Sequence, residues 1–151
     1  MKIPVDIRIH TERIHEIPHP HQKNSPQSEF DDFTVSGTLK KTKGGFQIEF
    51  FEENETVTTT IDTYEDEMVA LNRVGPINSH MIFADGKAHT CICNTGHFPL
   101  QMRIRTKKLV NSLTMDGGRL DIDYSVEIAG NLAEKNRITL SVSPDKSIIR
   151  S

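Results

Sequence analysis

Residues 117–130 read GGRLDIDYSVEIAG, and within them Leu120, Ile122, Tyr124, Val126 and Ile128 interleave with Asp121, Asp123, Ser125 and Glu127. Successive side chains of an extended chain point to opposite faces, so this alternation separates apolar from polar groups only if the segment is a strand. A helix would scatter both sets around its axis. The same period opens the chain, where Ile3, Val5, Ile7 and Ile9 alternate with Lys2, Asp6, Arg8 and His10. It recurs in Val35–Gly37–Leu39, Phe46–Ile48–Phe50, Val57–Thr59–Ile61, Leu100–Met102–Ile104 and Ile138–Leu140–Val142. Helical periodicity is hardly visible.

Turn-forming residues punctuate these runs at Lys43-Gly44-Gly45, Glu53-Asn54-Glu55, Glu65-Asp66-Glu67, Gly75-Pro76, Ala84-Asp85-Gly86, Thr95-Gly96, Asp116-Gly117-Gly118 and Gly130-Asn131. A spacing of roughly ten residues is that of an antiparallel meander, sandwich or barrel. About ten strands follow, in the range of 8–10 expected of such a barrel. An open sheet of that size would twist and expose its edges, whereas closure removes them, so the expected architecture is all-β, a single up-and-down antiparallel barrel spanning residues 1–151. Residues 16–31, EIPHPHQKNSPQSEFD, carry three prolines and few apolar groups, and read as a long loop after the first strand.

The chain has 151 residues, 18 Lys+Arg against 21 Asp+Glu, a net charge of −3, two cysteines and no tryptophan. A single core of this size needs no disulfide or metal staple. The near-neutral balance gives no global field for gripping DNA. No run approaches the ~20 apolar residues of a membrane span, and the alternating start lacks the apolar stretch of a signal peptide. The expectation is a cytoplasmic protein with no membrane association; a homodimer stays open.

The pattern VSGTLKKTKGGFQIEFFEE, then TTTIDTY, ALNRVG, SHMIFADGK, a strand ending in Gly96, IRTKKL and GGRLDIDYSVEIAG resembles the YwiB-like family of uncharacterised small bacterial proteins. The resemblance covers residues from about 33 to 143 and rests on the order and spacing of points such as Gly37, Glu52, Thr59, Arg73, Gly75, Phe83, Gly86, Thr106, Leu109, Gly118 and Tyr124. Relatives commonly carry an aromatic residue in the strand before Gly96, where Cys91 stands. The resemblance implies a calycin or lipocalin-like β-barrel and brings no assigned activity.

A barrel of this size either fills its interior with side chains or keeps room for one small apolar or amphipathic ligand. The candidate interior ligand contacts are Arg73, Phe83, Met102 and Tyr124. Arg73 shares strand phase with Val69 and Leu71, and Tyr124 sits in the most regular apolar face. The competing reading has Arg73 snorkelling at the rim and the Tyr124 hydroxyl capping a backbone carbonyl. The lipocalin Gly-x-Trp signature is impossible without tryptophan, and Arg137-Ile138-Thr139 stands where intracellular fatty-acid binders carry an Arg-x-Tyr clamp.

His89-Thr90-Cys91-Ile92-Cys93 places three soft ligands on one strand face. Residues two apart on a straight strand lie about 6.5–7 Å from each other, too far for two thiolates on one zinc, so a reduced, buried thiol pair is expected and no metal or other cofactor. His10, His15, His19 and His21 read as solvated groups. Arg103, Arg105, Lys107 and Lys108 form an outward basic ridge, a candidate phosphate or nucleic-acid contact. It lacks stacking aromatics, and Asp121 or Asp123 across the sheet is the expected partner, which makes nucleic acid an unlikely ligand. No phosphate loop, nucleophile elbow or His-Glu-x-x-His is present, and carboxylates such as Glu52 fall in outward phases or turns, so no catalytic residue and no enzyme activity are expected.

Overall fold

The computed structural model describes residues 2–15, 27–52, 54, 56–65, 67–94 and 99–145. Ten strands follow in order: β1 (Lys2–His15), β2 (Gln27–Lys41), β3 (Gly45–Glu52), β4 (Val57–Tyr64), β5 (Met68–Val74), β6 (Asn78–Ala84), β7 (Ala88–Asn94), β8 (Pro99–Asn111), β9 (Gly118–Ile128) and β10 (Asn131–Pro144). Each pairs antiparallel with its chain neighbours, and β1 pairs with β10, closing an up-and-down barrel. No helix among the described residues is long and apolar enough to cross a membrane.

The alternation read along the chain is the barrel's inside and outside. Val5, Ile7, Leu39, Ile48, Ile61, Val69, Phe83, Ile104, Leu120, Ile122 and Leu140 are buried in one interior core. Burying such side chains contributes about 1.5–3 kcal/mol each before the entropy of ordering the chain is counted.

One boundary differs from the sequence reading. Gln27–Asp31, read as loop, belong to β2, in register with Thr11–His15 of β1. The lack of apolar alternation in this segment, whose lone large apolar residue Phe30 is exposed, hid a strand that the hairpin ladder extends, because backbone pairing carries on past the end of the apolar face. Residues 16–26 lie outside the described residues, as do His19 and His21 and the Thr95-Gly96 turn.

The ends of β1, β3, β5, β7 and β9 define one end of the barrel, and the ends of β2, β4, β6 and β8 the other. The second end is plugged. Between β8 and β9 the chain folds across it, with Leu113 buried in the core, Met115 packed on it, and Thr114 bridged to Gly117. Leu113 is held by its own N–H, which donates to Asn111 Oδ1 at 3.0 Å.

Candidate functional site

Towards the first end the inward phase changes character. Met81, Met102 and Ile128 pack on the core but are only partly buried, although Phe83, Ile104 and Val126 below them in the same strands are closed from solvent. The apolar interior is therefore less closed to solvent at this end, the mouth of the barrel. Met102 stands in this wall. Phe83 lies deeper, fully buried, its ring 4.7 Å from that of Tyr124 at a tilt of 58°. Those two rings come from non-adjacent strands and form the floor of the mouth.

Two polar groups line it. On one side Thr59, in register with both Phe50 and Arg73, donates its hydroxyl hydrogen bond to Glu52. Arg73 Nη2 lies 3.3 Å from the same Glu52 Oε2. Thr59 is buried, whereas Arg73 is part-exposed, so the pair sits at the rim with its foot in the core. Glu52 was expected among solvated turn carboxylates; it continues the inward phase of Phe46, Ile48 and Phe50 instead. On the other side, cross-strand register places Tyr124, Asn136, Arg13 and Glu29 in one row. Arg13 Nε donates to Asn136 Oδ1 at 3.3 Å and lies 3.7 Å from Glu134 Oε1. Asn136 Nδ2 donates to that carboxylate at 3.0 Å. Arg13, Glu134 and Asn136 escaped sequence reading, yet each falls on the apolar phase of its strand, and a polar residue on that phase was the available signal.

The Tyr124 hydroxyl makes no hydrogen bond among the described residues, so it caps no backbone carbonyl there. Burial, and next the nearby Glu134 carboxylate, push its ionisation far above the ordinary tyrosine value. It stays a neutral phenol, able to donate and to accept.

His89, Cys91 and Cys93 share the inward phase of β7, and both cysteines are free thiols. Among the described residues no three His, Cys, Asp or Glu side chains converge closely enough to hold a metal ion. Burial, then the neighbouring Cys93, raise the Cys91 thiol pKa. A raised value lowers the thiolate fraction at neutral pH, and the thiolate is the nucleophile. Cys91 in the folded protein is therefore expected to react slowly with an aromatic disulfide reagent and quickly once denaturant opens the barrel; equal rates in both states would contradict its inward placement.

The basic ridge points outward. Glu127 lies 3.8 Å from Arg103 and 4.0 Å from Arg105, while Lys108 stands directly across the sheet from Asp123. Asp121 pairs with Arg119 at 3.0 Å and Arg137 at 4.0 Å. A cleft of about 670 Å³ lies at the plugged end between Phe46, Thr63, Tyr64, Leu109 and Leu113, away from every predicted ligand contact. It is half-open, with Lys41, Lys43, Glu65 and Glu67 among its lining, and these charges balance.

A closed ten-stranded barrel with one plugged end and one polar-lined mouth is the class of protein this fold and site define. The chain belongs to the family described as domain of unknown function DUF1934, whose model matches residues 16–140. Its fold is similar to that of the ywiB protein from Bacillus subtilis, with a TM-score of 0.79 over 95% of this chain and 93% of that one at 16% identity. No curated protein sequence matches it.

Proposed function

We propose that this protein is a non-enzymatic binder of a small amphipathic molecule, taken into the mouth of the barrel. The observation that carries the reading is the set of inward yet part-exposed apolar side chains Met81, Met102 and Ile128 near the first end, with the Phe83–Tyr124 ring pair deeper in the interior. Apolar walls with a few polar groups at fixed points are the makeup of small-molecule sites. Tyr124 supplies a buried hydroxyl, and Arg73 and Arg13 stand at the rim. Binding rather than turnover is favoured because both arginines are engaged with Glu52 and Glu134, which leaves neither carboxylate as a free base.

The outer basic ridge is the weaker alternative. Glu127 sits between its two arginines, and Lys107 and Lys108 share a surface cleft with Asp121 and Asp123, so a polyanion would meet alternating charge. The same outward Arg103 and Arg105 would each cost about 2–4 kcal/mol at the middle of a bilayer, and free thiols fit a reducing compartment; the bacterial cytoplasm is the setting we propose.

Native mass spectrometry of the freshly purified protein tests the reading directly, as a retained ligand adds mass. Titration with a fluorescent anilinonaphthalene probe gives the second arm. Tyr124→Phe is expected to change stability by less than about 1 kcal/mol, because among the described residues its hydroxyl has no hydrogen bond to lose, while weakening a retained ligand or probe several-fold. Absence of both added mass and saturable probe binding overturns the proposal; a stability loss at unchanged affinity assigns Tyr124 to structure.

A further inference from the structure

Beside the plug, the cleft of about 670 Å³ is bounded by the β2–β3 and β4–β5 hairpins and by the end of β8. That volume is of the size that holds small molecules. Its inner lining is apolar, with Phe46 packed on the core and Leu109 and Leu113 buried in it, and exposed Tyr64 and Val110 complete the sides.

The hairpins hold their shape without a ligand. Thr42 N–H donates to Gly45 O at 2.9 Å and Gly45 N–H to Thr42 Oγ1 at 3.1 Å, which sets the β2–β3 turn. Glu65 N–H donates to Gly44 O at 3.0 Å and ties the β4–β5 turn to it. A Cβ added to Gly44 would lie 3.3 Å from the Tyr64 ring, so that ring rests on the turn. A cleft with fixed sides costs a ligand little ordering.

Charge gives the cleft two poles. Lys41 and Lys43 belong to the β2–β3 hairpin and Glu65 and Glu67 to the turn between β4 and β5, and none of these four side chains has an ion pair or hydrogen bond with another described residue. The two turns are two strand spacings apart, about 10 Å.

We infer that this cleft is a binding site, separate from the mouth, for a short peptide with free ends and an apolar side chain between them. An anion would be drawn to the lysines and repelled by the glutamates, and a cation the reverse, whereas a molecule with one charge at each end satisfies both poles. Length narrows the class. An extended chain advances about 3.3–3.6 Å per residue, so about three residues carry an amino group to Glu65 and Glu67 and a carboxylate to Lys41 and Lys43. The middle side chain is left to Phe46, Leu109 and Leu113. Exposed ion pairs add little each, so the apolar lining supplies the hold and the poles supply the direction.

The test is titration of the isotope-labelled full chain with alanyl-phenylalanyl-alanine, read from amide shifts, beside the same peptide acetylated and amidated at its ends. Saturable shifts are expected at Tyr64, Leu109 and Val110, with Met81 and Met102 in the mouth unmoved and several-fold weaker binding of the capped peptide. Lys41→Gln with Lys43→Gln should weaken the free peptide several-fold and leave the capped one unchanged; both side chains are exposed, so the fold is kept. Tyr124→Phe should alter neither titration, which separates this site from the mouth. No saturable shift up to millimolar peptide, shifts confined to the mouth, or equal affinity for free and capped peptides overturns the inference.

Discussion

Phe83→Ala should lower the unfolding free energy by about 3–5 kcal/mol, read as a shift of the urea midpoint at constant slope. Phe83 is fully buried, and its ring meets Tyr124 across the interior. Two losses add in this variant. The ring gives up its transfer free energy, and the space left behind cannot collapse, because the surrounding strands are tied into one closed ladder. The ring pair itself is worth about 0.5–1.5 kcal/mol beyond its area. A loss under about 1 kcal/mol would mean that the floor of the mouth is loosely packed.

Gly117→Ala is the second large effect, expected at about 3 kcal/mol or more in the same assay. Gly117 adopts φ +104°, and a Cβ placed there would lie 2.3 Å from the backbone oxygen of Val142. Neither problem can be relieved locally. The turn is fixed by Thr114 N–H donating to Gly117 O at 2.8 Å and Gly117 N–H to Thr114 O at 3.0 Å, while Val142 is held in the β10 ladder. Displacing the turn would draw Leu113 out of the plugged end, so the loss should come with faster hydrogen exchange of the Leu113 amide. Exchange unchanged from wild type, with stability retained, would show that the plug tolerates the strain.

Cys91 and Tyr124 show how far strand phase alone carries. Both were placed on an inward face from neighbours two residues away, and both are buried there. The chemistry of each then follows from its surroundings rather than its phase: burial holds the thiol and the phenol protonated. For Glu52, turn composition overrode a strand phase that points inward. Its neighbours in sequence, Asn54 and Glu55, made it look like a turn residue, whereas its partners come from β4 and β5.

Period-two patterning and turn spacing by themselves determined that the chain is all-β with about ten antiparallel strands, which residues face inward, and that the ridge at Arg103 and Arg105 faces out. These are local properties, since alternation is a matter of adjacent residues. Tertiary structure decided who meets whom. Arg13 and Asn136 are 123 positions apart and touch because closure pairs β1 with β10. Arg103 and Arg105 find Glu127 because the register of β8 on β9 sets Arg103 directly opposite it. Gln27–Asp31 form strand because the β1 backbone beside them offers its N–H and C=O groups. Register, closure and plugging depend on interactions between distant segments, and a run of side chains read one after another carries no term for them.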